Sequence, residues 1–334
     1  MVYVIASALP FQLVKNYKQS LRIYMTIQTF LIEWLLQGDP AIRWQVVQDL
    51  LDAPEKEIRS ERTKTLREGW GTQILKMQAA NGLFGGGLYN PKWISTTYSL
   101  LLLRRIGIPR DTKPIQKSCQ LLLEKGLYRD GGINYFKSMV NSETCVTGMV
   151  LSLLSYFQFE TDNFDQILNY LFQEQLPDGG WNCRRYLGAH HGSFHTTINV
   201  LEGLTEYLQF QDERRDEILF ARDRAVEFLL QHRLFKSHRT GKVIDSKMTR
   251  LSFPPRWRYD ILRALDYFQI SKIPYDSRMD DALEILQKRK QEEGRWPLQQ
   301  RYPGRTFFEM EEVGKPSRWN TLRALRVLKR YKTN

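Results

Sequence analysis

The sequence has 334 residues and no apolar run approaching the ~20 consecutive residues that a membrane-spanning helix needs, so a helical span is not expected. It has only three cysteines, Cys119, Cys145 and Cys183. The count is odd and the spacings are not those of a small disulfide scaffold, which fits a reducing compartment. G-x-G-x-x-G and G-x-x-x-x-G-K loops are missing, and with them the usual sequence signs of dinucleotide and P-loop nucleotide binding. Acidic residues are the minority: 37 Asp and Glu against 49 Lys and Arg give a formal charge of +12. That surplus suits an anionic partner such as a phosphate, a nucleic acid or an acidic membrane surface. No nucleic-acid recognition motif accompanies it, so a nucleic-acid partner is not expected. Residues 1–24 open on an apolar stretch without a basic segment before it, and Pro10 interrupts the stretch, which argues against a secretory leader. A cytoplasmic location is the expectation, with residues 1–24 as an extension and 25–334 as one domain.

What the chain does have is apolar and aromatic material: 42% hydrophobic residues, with 8 Trp, 16 Tyr and 17 Phe, enough for a core or an aromatic-lined cavity. It also repeats. A glycine-rich turn follows an amphipathic helical segment at QAANGLFGGGLY, YRDGGINYF, QLPDGGWNCRRY and QEEGRWPLQQRY, after predicted helices at 70–78, 115–126, 164–175 and 279–290. Each turn leads through a polar loop into a second helix that is apolar on more of its circumference, at 95–106, 144–157, 195–208, 257–268 and 319–331. The unit at 217–270 keeps both helices but carries FKSHRTGKVIDSKMTRLSFPP in place of the Gly-Gly turn, and 28–51 supplies an earlier pair around Gly38-Asp39-Pro40, a helix stop followed by a proline-led start. Six pairs result. Their near-uniformly apolar second helices favour an all-α (α/α)6 toroid of about six repeats, with inner helices lining a central barrel, over an open solenoid.

In such a barrel the inner-helix N-termini share one end, where free N–H groups and the macrodipole favour anions. The loops feeding that end carry unusual residues for turns. Lys92, Trp93, Trp181, Arg184, Arg185, Arg256, Trp257, Arg318 and Trp319 lie in them, and the four tryptophans either brace repeat packing or line an aromatic mouth. A mixed aromatic and cationic mouth suits an apolar ligand bearing a phosphate.

The turns Gln175-Leu176-Pro177-Asp178-Gly179-Gly180-Trp181 and Gln291-Glu292-Glu293-Gly294-Arg295-Trp296 resemble the repeat motif of squalene/hopene-type cyclases, and the repeat covers most of the chain. Within it, Glu143-Thr144-Cys145 and His195 resemble the zinc site of protein prenyltransferase β-subunits, in which an acidic-x-Cys pair opens one inner helix and a His the next; Cys145 and His195 are 50 positions apart. The resemblance implies zinc at Glu143, Cys145 and His195, with a coordination position left for a thiol or water, and a diphosphate contact at Lys137. Glu143 stands where that family has Asp, and Val146 and Thr147 stand where it has aromatics. The alternative is that Cys145 is a small core residue, that Glu143 helps cap its helix and that His195 bonds a backbone carbonyl. Cys183 with His190 and His191 forms a rival ligand cluster within one loop.

Cyclase chemistry of the alkene-protonating kind uses a D-x-D-D acid, and the sequence has none. Asp280-Asp281-Ala282-Leu283-Glu284 formally matches a D-D-x-x-E ionisation motif but opens an outer helix, where negative charge suits the dipole. Asp260 is left as the candidate acid. The expected activity is that of a prenyltransferase- or terpene-cyclase-like enzyme acting on a prenyl diphosphate or another apolar substrate, with zinc-assisted transfer to a thiol as one form. The alternative is a non-catalytic toroid that binds a peptide or protein.

Overall fold

The structure is a computed structural model that describes residues 29–136 and 138–331. Among the described residues it is all helical: α1 (29–36), α2 (Pro40–Asp49), α3 (Glu55–Thr63), α4 (Gly69–Leu75), α5 (Thr96–Ile106), α6 (Lys113–Gly126), α7 (Thr144–Tyr156), α8 (Phe164–Glu174), α9 (Phe194–Phe210), α10 (Arg215–Gln231), α11 (Ile261–Ile270), α12 (Asp280–Lys288) and α13 (Arg318–Arg330). None of these helices is long and apolar enough to cross a membrane. The expected extension at 1–24 lies outside the described residues.

The inner helices α2, α5, α7, α9, α11 and α13 close a ring in which each contacts the next. Trp44 Nε1 of α2 donates to the Ile106 carbonyl of α5 (2.8 Å). Helices α5 and α7 pack directly. Between α7 and α9 the backbones nearly touch: a Cβ on Gly148 would lie 2.7 Å from Val200 Cα, and one on Gly203 would lie 2.5 Å from the Gly148 carbonyl oxygen. Arg263 of α11 binds Glu202 of α9, and Arg326 of α13 reaches both Asp266 of α11 and Asp49 of α2, the last at 2.9 Å. The final contact closes the toroid that the sequence left open.

Four of the six inner helices, α5, α7, α9 and α13, are seated by the turn before them. The backbone N–H of Phe84, Ile133, Trp181 and Trp296 donates to Thr96, Thr147, Thr197 and Thr321 respectively, at 2.8–3.0 Å, one threonine in each case near the start of the inner helix. The acidic residue of the turn ties the next loop down: Asp178 accepts from Gly180 N (3.0 Å) and from Gly192 N (2.7 Å), and Asp130 does the same for Gly132 and Ser142. Gly179 is required on two grounds, a φ of +87° and a Cβ position 2.3 Å from the Arg224 carbonyl. Helix α11 starts at Ile261 rather than 257 because Asp260 is its N-cap, accepting from Arg263 N at 2.8 Å.

The inner ring from its middle to its C-terminal end is filled by buried ion pairs. Glu202 accepts from Arg104, Arg105 and Arg263, Glu206 from Arg104, and Asp266 from Arg323 and Arg326. Burial alone would raise the carboxyls of Glu202 and Asp266. The guanidiniums outweigh it and hold both below the usual carboxylate range, Glu202 well below.

Candidate functional site

The N-terminal end is built the opposite way, with cations on aromatic faces and no carboxylate partners. Lys92 Nζ sits 5.4 Å from the ring centroid of Tyr89, 5.7 Å from that of Trp93 and 5.9 Å from that of Trp257. The Arg256 guanidinium lies over Trp93 (5.5 Å), and that of Arg258 over Trp257 (4.5 Å) and Tyr302 (5.1 Å). Among the described residues none of these three cations forms a salt bridge, and Arg258 Nε is buried without a hydrogen-bond partner. Burial brings Arg256 down to about 10, against smaller opposing effects of Tyr98 and Glu309. Two loops, those before α5 and α11, therefore deliver three cations without salt bridges to one aromatic-lined place.

Glu143 belongs to the same place. It is the residue before α7, half-buried, and its Oε2 is enclosed without a hydrogen-bond partner. Burial raises its carboxyl above the ordinary value, more than the nearby Lys92 ammonium lowers it. A carboxyl in such a setting keeps its proton to higher pH than a solvated one, the property a general acid needs. Trp257 Nε1 is likewise buried and unpartnered.

A cleft beside these groups is lined by Trp93, Phe253, Arg256, Tyr302, Phe307 and Phe308, and its cavity volume is only about 40 Å³. The segment 301–311 fills it. Arg305 N donates to the Lys92 carbonyl (2.8 Å), Trp93 N donates to the Arg305 carbonyl (2.7 Å), and Trp93 Nε1 donates to the Pro303 carbonyl (2.9 Å).

Of the residues singled out in the sequence, Lys92, Trp93, Arg256, Trp257 and Glu143 converge here. His195 abuts the same place through Trp257, and the others take separate places. Trp181 is fully buried behind α9, and its Nε1 donates to the Leu171 carbonyl of α8 (2.7 Å); Trp296 does the same to Leu286 in its own repeat. These two turn tryptophans brace an outer helix against the turn. Arg184 is exposed in solvent. Arg318 points to the outside of the ring, stacked on Trp34 (4.6 Å) and donating to its carbonyl (3.1 Å). Trp319 is buried between Phe253 (4.1 Å, stacked) and Trp70. Asp260 is committed on both oxygens, to Arg263 N and to Ser252, so the structure places it as a helix cap rather than as a free acid. Lys137 lies outside the described residues. Asp281 pairs with Lys236 and Arg233, and His190 and His191 are exposed.

The implied zinc ligands also begin or precede inner helices, but the described residues contain no group of three His, Cys, Asp or Glu side chains that could hold a metal ion. His195 Nδ1 accepts from Tyr259 N (2.9 Å), and Cys145 is engaged with Cys183. As arranged, Glu143, Cys145 and His195 do not fit a three-ligand zinc centre. Elemental analysis of the purified protein is expected to find zinc only in substoichiometric amounts. Near-stoichiometric zinc lost in Cys145→Ala and His195→Ala but kept in Cys183→Ala would overturn this.

His195 packs edge-on against Trp257 (5.2 Å), and burial, aided by Arg258 and Arg263, lowers its pKa to about 4. The imidazole is neutral in the folded chain across the physiological range. Because the folded value lies below the unfolded one of about 6.5, this burial costs no stability above that pH and progressively more as pH falls toward 4. NMR titration of His195 should show a midpoint near 4; a midpoint at or above its ordinary value would contradict the burial.

The sequence reading missed Tyr89, Tyr98, Arg258 and Tyr302. Arg258 was legible as the second arginine of Arg256-Trp257-Arg258; the tyrosines join the site through packing that no spacing announces.

Comparison with known families decides the lineage: the prenyltransferase alpha-alpha toroid domain matches residues 40–246. The chain belongs to this α/α-toroid family. No curated protein matches it. Among solved structures it is similar to a protein from Actinoplanes (15% identity, 89% of this chain and 91% of that one, TM-score 0.46). It is also similar to the type II terpene cyclase MstE from Scytonema in its apo form (16% identity, 87% and 88%, TM-score 0.42) and, as a variant, in complex with geranylgeranyl dihydroxybenzoate (16%, 87% and 86%, TM-score 0.44). At these TM-scores the structural likenesses add nothing to the family assignment.

Proposed function

We propose that this toroid is an enzyme acting on an apolar substrate with an anionic head, of the prenyl diphosphate class, bound at the N-terminal mouth of the ring. The observation that carries the reading is the contrast between the two ends. From the middle of the ring to its C-terminal end Arg104, Arg105, Arg323 and Arg326 all have carboxylate partners, as does Arg263 in the first turn of α11, whereas Lys92, Arg256 and Arg258 lie over ring faces without a salt bridge, with Glu143 near Lys92 and Glu309 near Arg256. Cations desolvated without counter-ions are costly unless a ligand supplies the charge. A diphosphate would take hydrogen bonds from them, while Trp93, Tyr302, Phe307 and Phe308 offer the apolar wall.

Glu143 supplies the proton. Its carboxyl would donate from a buried oxygen to substrate, and the positive charge so formed would face Tyr89, Trp93 and Trp257, whose ring quadrupoles favour it. Return of a proton to Glu143 would close the cycle without an oxidant or reductant. A prenyl-sized ligand needs a pocket of roughly 300–1,000 Å³, far more than the cleft offers, so residues 301–311 must lift for substrate to enter. That closed cleft is also the one observation favouring a non-catalytic toroid that binds a peptide.

Incubation of the purified chain with prenyl diphosphates of increasing length, read by mass spectrometry and gas chromatography, separates the two. Turnover abolished by Lys92→Met is the expected result; neither turnover nor protection of 301–311 in hydrogen exchange would favour the peptide-binding reading.

A further inference from the structure

We propose that Cys145 and Cys183 form an oxidisable dithiol at the rim of the mouth, a modification site that peroxide converts to an intramolecular disulfide. The two residues come from different repeats, yet Cys183 Sγ accepts the backbone N–H of Cys145 at 3.1 Å. Thr196 Oγ1 donates to Cys183 Sγ at 3.4 Å, which fixes the side chain toward the start of α7 rather than toward solvent. Both are free thiols, and both are half-buried, so a small oxidant can reach them. Cys119 is a built-in control, wholly buried in the hydrophobic core.

The chemistry balances with hydrogen peroxide as the oxidant. One thiol sulfur attacks a peroxide oxygen, the O–O bond breaks, and a sulfenic acid and one water result. The neighbouring thiol then displaces hydroxide from the sulfenic sulfur, forming the S–S bond and a second water, with two sulfurs oxidised and one peroxide reduced. The product ties the loop that precedes α9 to the first turn of α7, two residues from Glu143. The fold itself needs neither thiol in the reduced form, because Thr197 and Asp178 hold the same turn independently.

The test treats the intact, reduced protein with a few equivalents of hydrogen peroxide, blocks remaining thiols, and maps peptides without reduction. The expected result is a Cys145–Cys183 cross-linked peptide, with free thiols falling from three to one. Cys119→Ser should still form the cross-link, and Cys145→Ser should instead give a dimedone-reactive sulfenic acid on Cys183, the sulfur that accepts from Thr196 Oγ1. Three unreacted thiols, oxidation with no 145–183 cross-link, or links only between chains would each overturn the proposal.

Discussion

Glu202→Ala is expected to destabilise the protein by about 3–5 kcal/mol, enough to unfold a domain of ordinary stability. The carboxylate sits among three guanidiniums, at 3.3 Å from Arg104, 2.9 Å from Arg105 and 2.8 Å from Arg263. Removing it leaves Arg105 without an ion-pair partner among the described residues, and leaves Arg263 held only by Asn199 and backbone carbonyls. The cost is that of uncompensated buried charge rather than of the lost attraction, so the double change Glu202→Leu with Arg263→Met should cost less than Glu202→Ala alone. The same cluster predicts acid sensitivity. Glu202 and Asp266 have folded values below their unfolded ones, so the stability they contribute is present above about pH 4–5 and is lost as pH falls through the depressed folded values. Urea denaturation at a series of pH values, followed by circular dichroism, measures both effects. A loss under about 1 kcal/mol for Glu202→Ala would mean that the arginines find water or other partners.

Glu143→Gln is expected to reduce turnover by about 10²–10⁴-fold while leaving the melting temperature nearly unchanged. Glutamine keeps the volume and the hydrogen-bonding capacity of a protonated carboxyl but cannot give up a proton. Stability should hardly move, because Glu143 Oε2 has no partner to lose and the backbone contacts of the residue, N–H to the Ile133 carbonyl and C=O from Thr147 N, are untouched. Asp260→Asn is the contrast: it keeps the acceptor to Arg263 N but disturbs the bonds from Ser252, so its effect should fall on stability more than on turnover. Equal turnover in Glu143→Gln and wild type would remove Glu143 as the acid.

The repeat was legible because its grammar is local. The D-G-G turns, the threonine that opens the next helix and the Asp39-Pro40 start all mark helix ends within a few residues, so the outer and inner helices appear near their expected positions. Helix α3 was missed for a physical reason: Glu55–Thr63 buries no residue, so no apolar stripe announces it. The site was only partly legible. Lys92, Trp93, Arg256 and Trp257 could be read from cationic and aromatic residues in loops of one type, whereas Trp181 shares that composition and yet turns inward to the Leu171 carbonyl. The buried ion-pair end left a trace in Leu262-Arg263-Ala264-Leu265-Asp266 and Leu322-Arg323-Ala324-Leu325-Arg326, charges at i and i+3 in otherwise apolar helices. What they pair with depends on neighbours up to 281 residues away, which no local pattern encodes. The zinc expectation failed to find a ligand set for a similar reason, since the spacing along the chain does not state which way His195 faces.

Quenching of tryptophan fluorescence by farnesyl diphosphate, with wild type and Lys92→Met compared at matched ionic strength, tests the central claim most directly, because Trp93 and Trp257 flank the ammonium. Saturable quenching in wild type, weakened at least tenfold by Lys92→Met and unaffected by Arg184→Met, is the predicted result. Absence of saturable binding in wild type, or equal binding in Lys92→Met, would contradict an anion-receiving mouth.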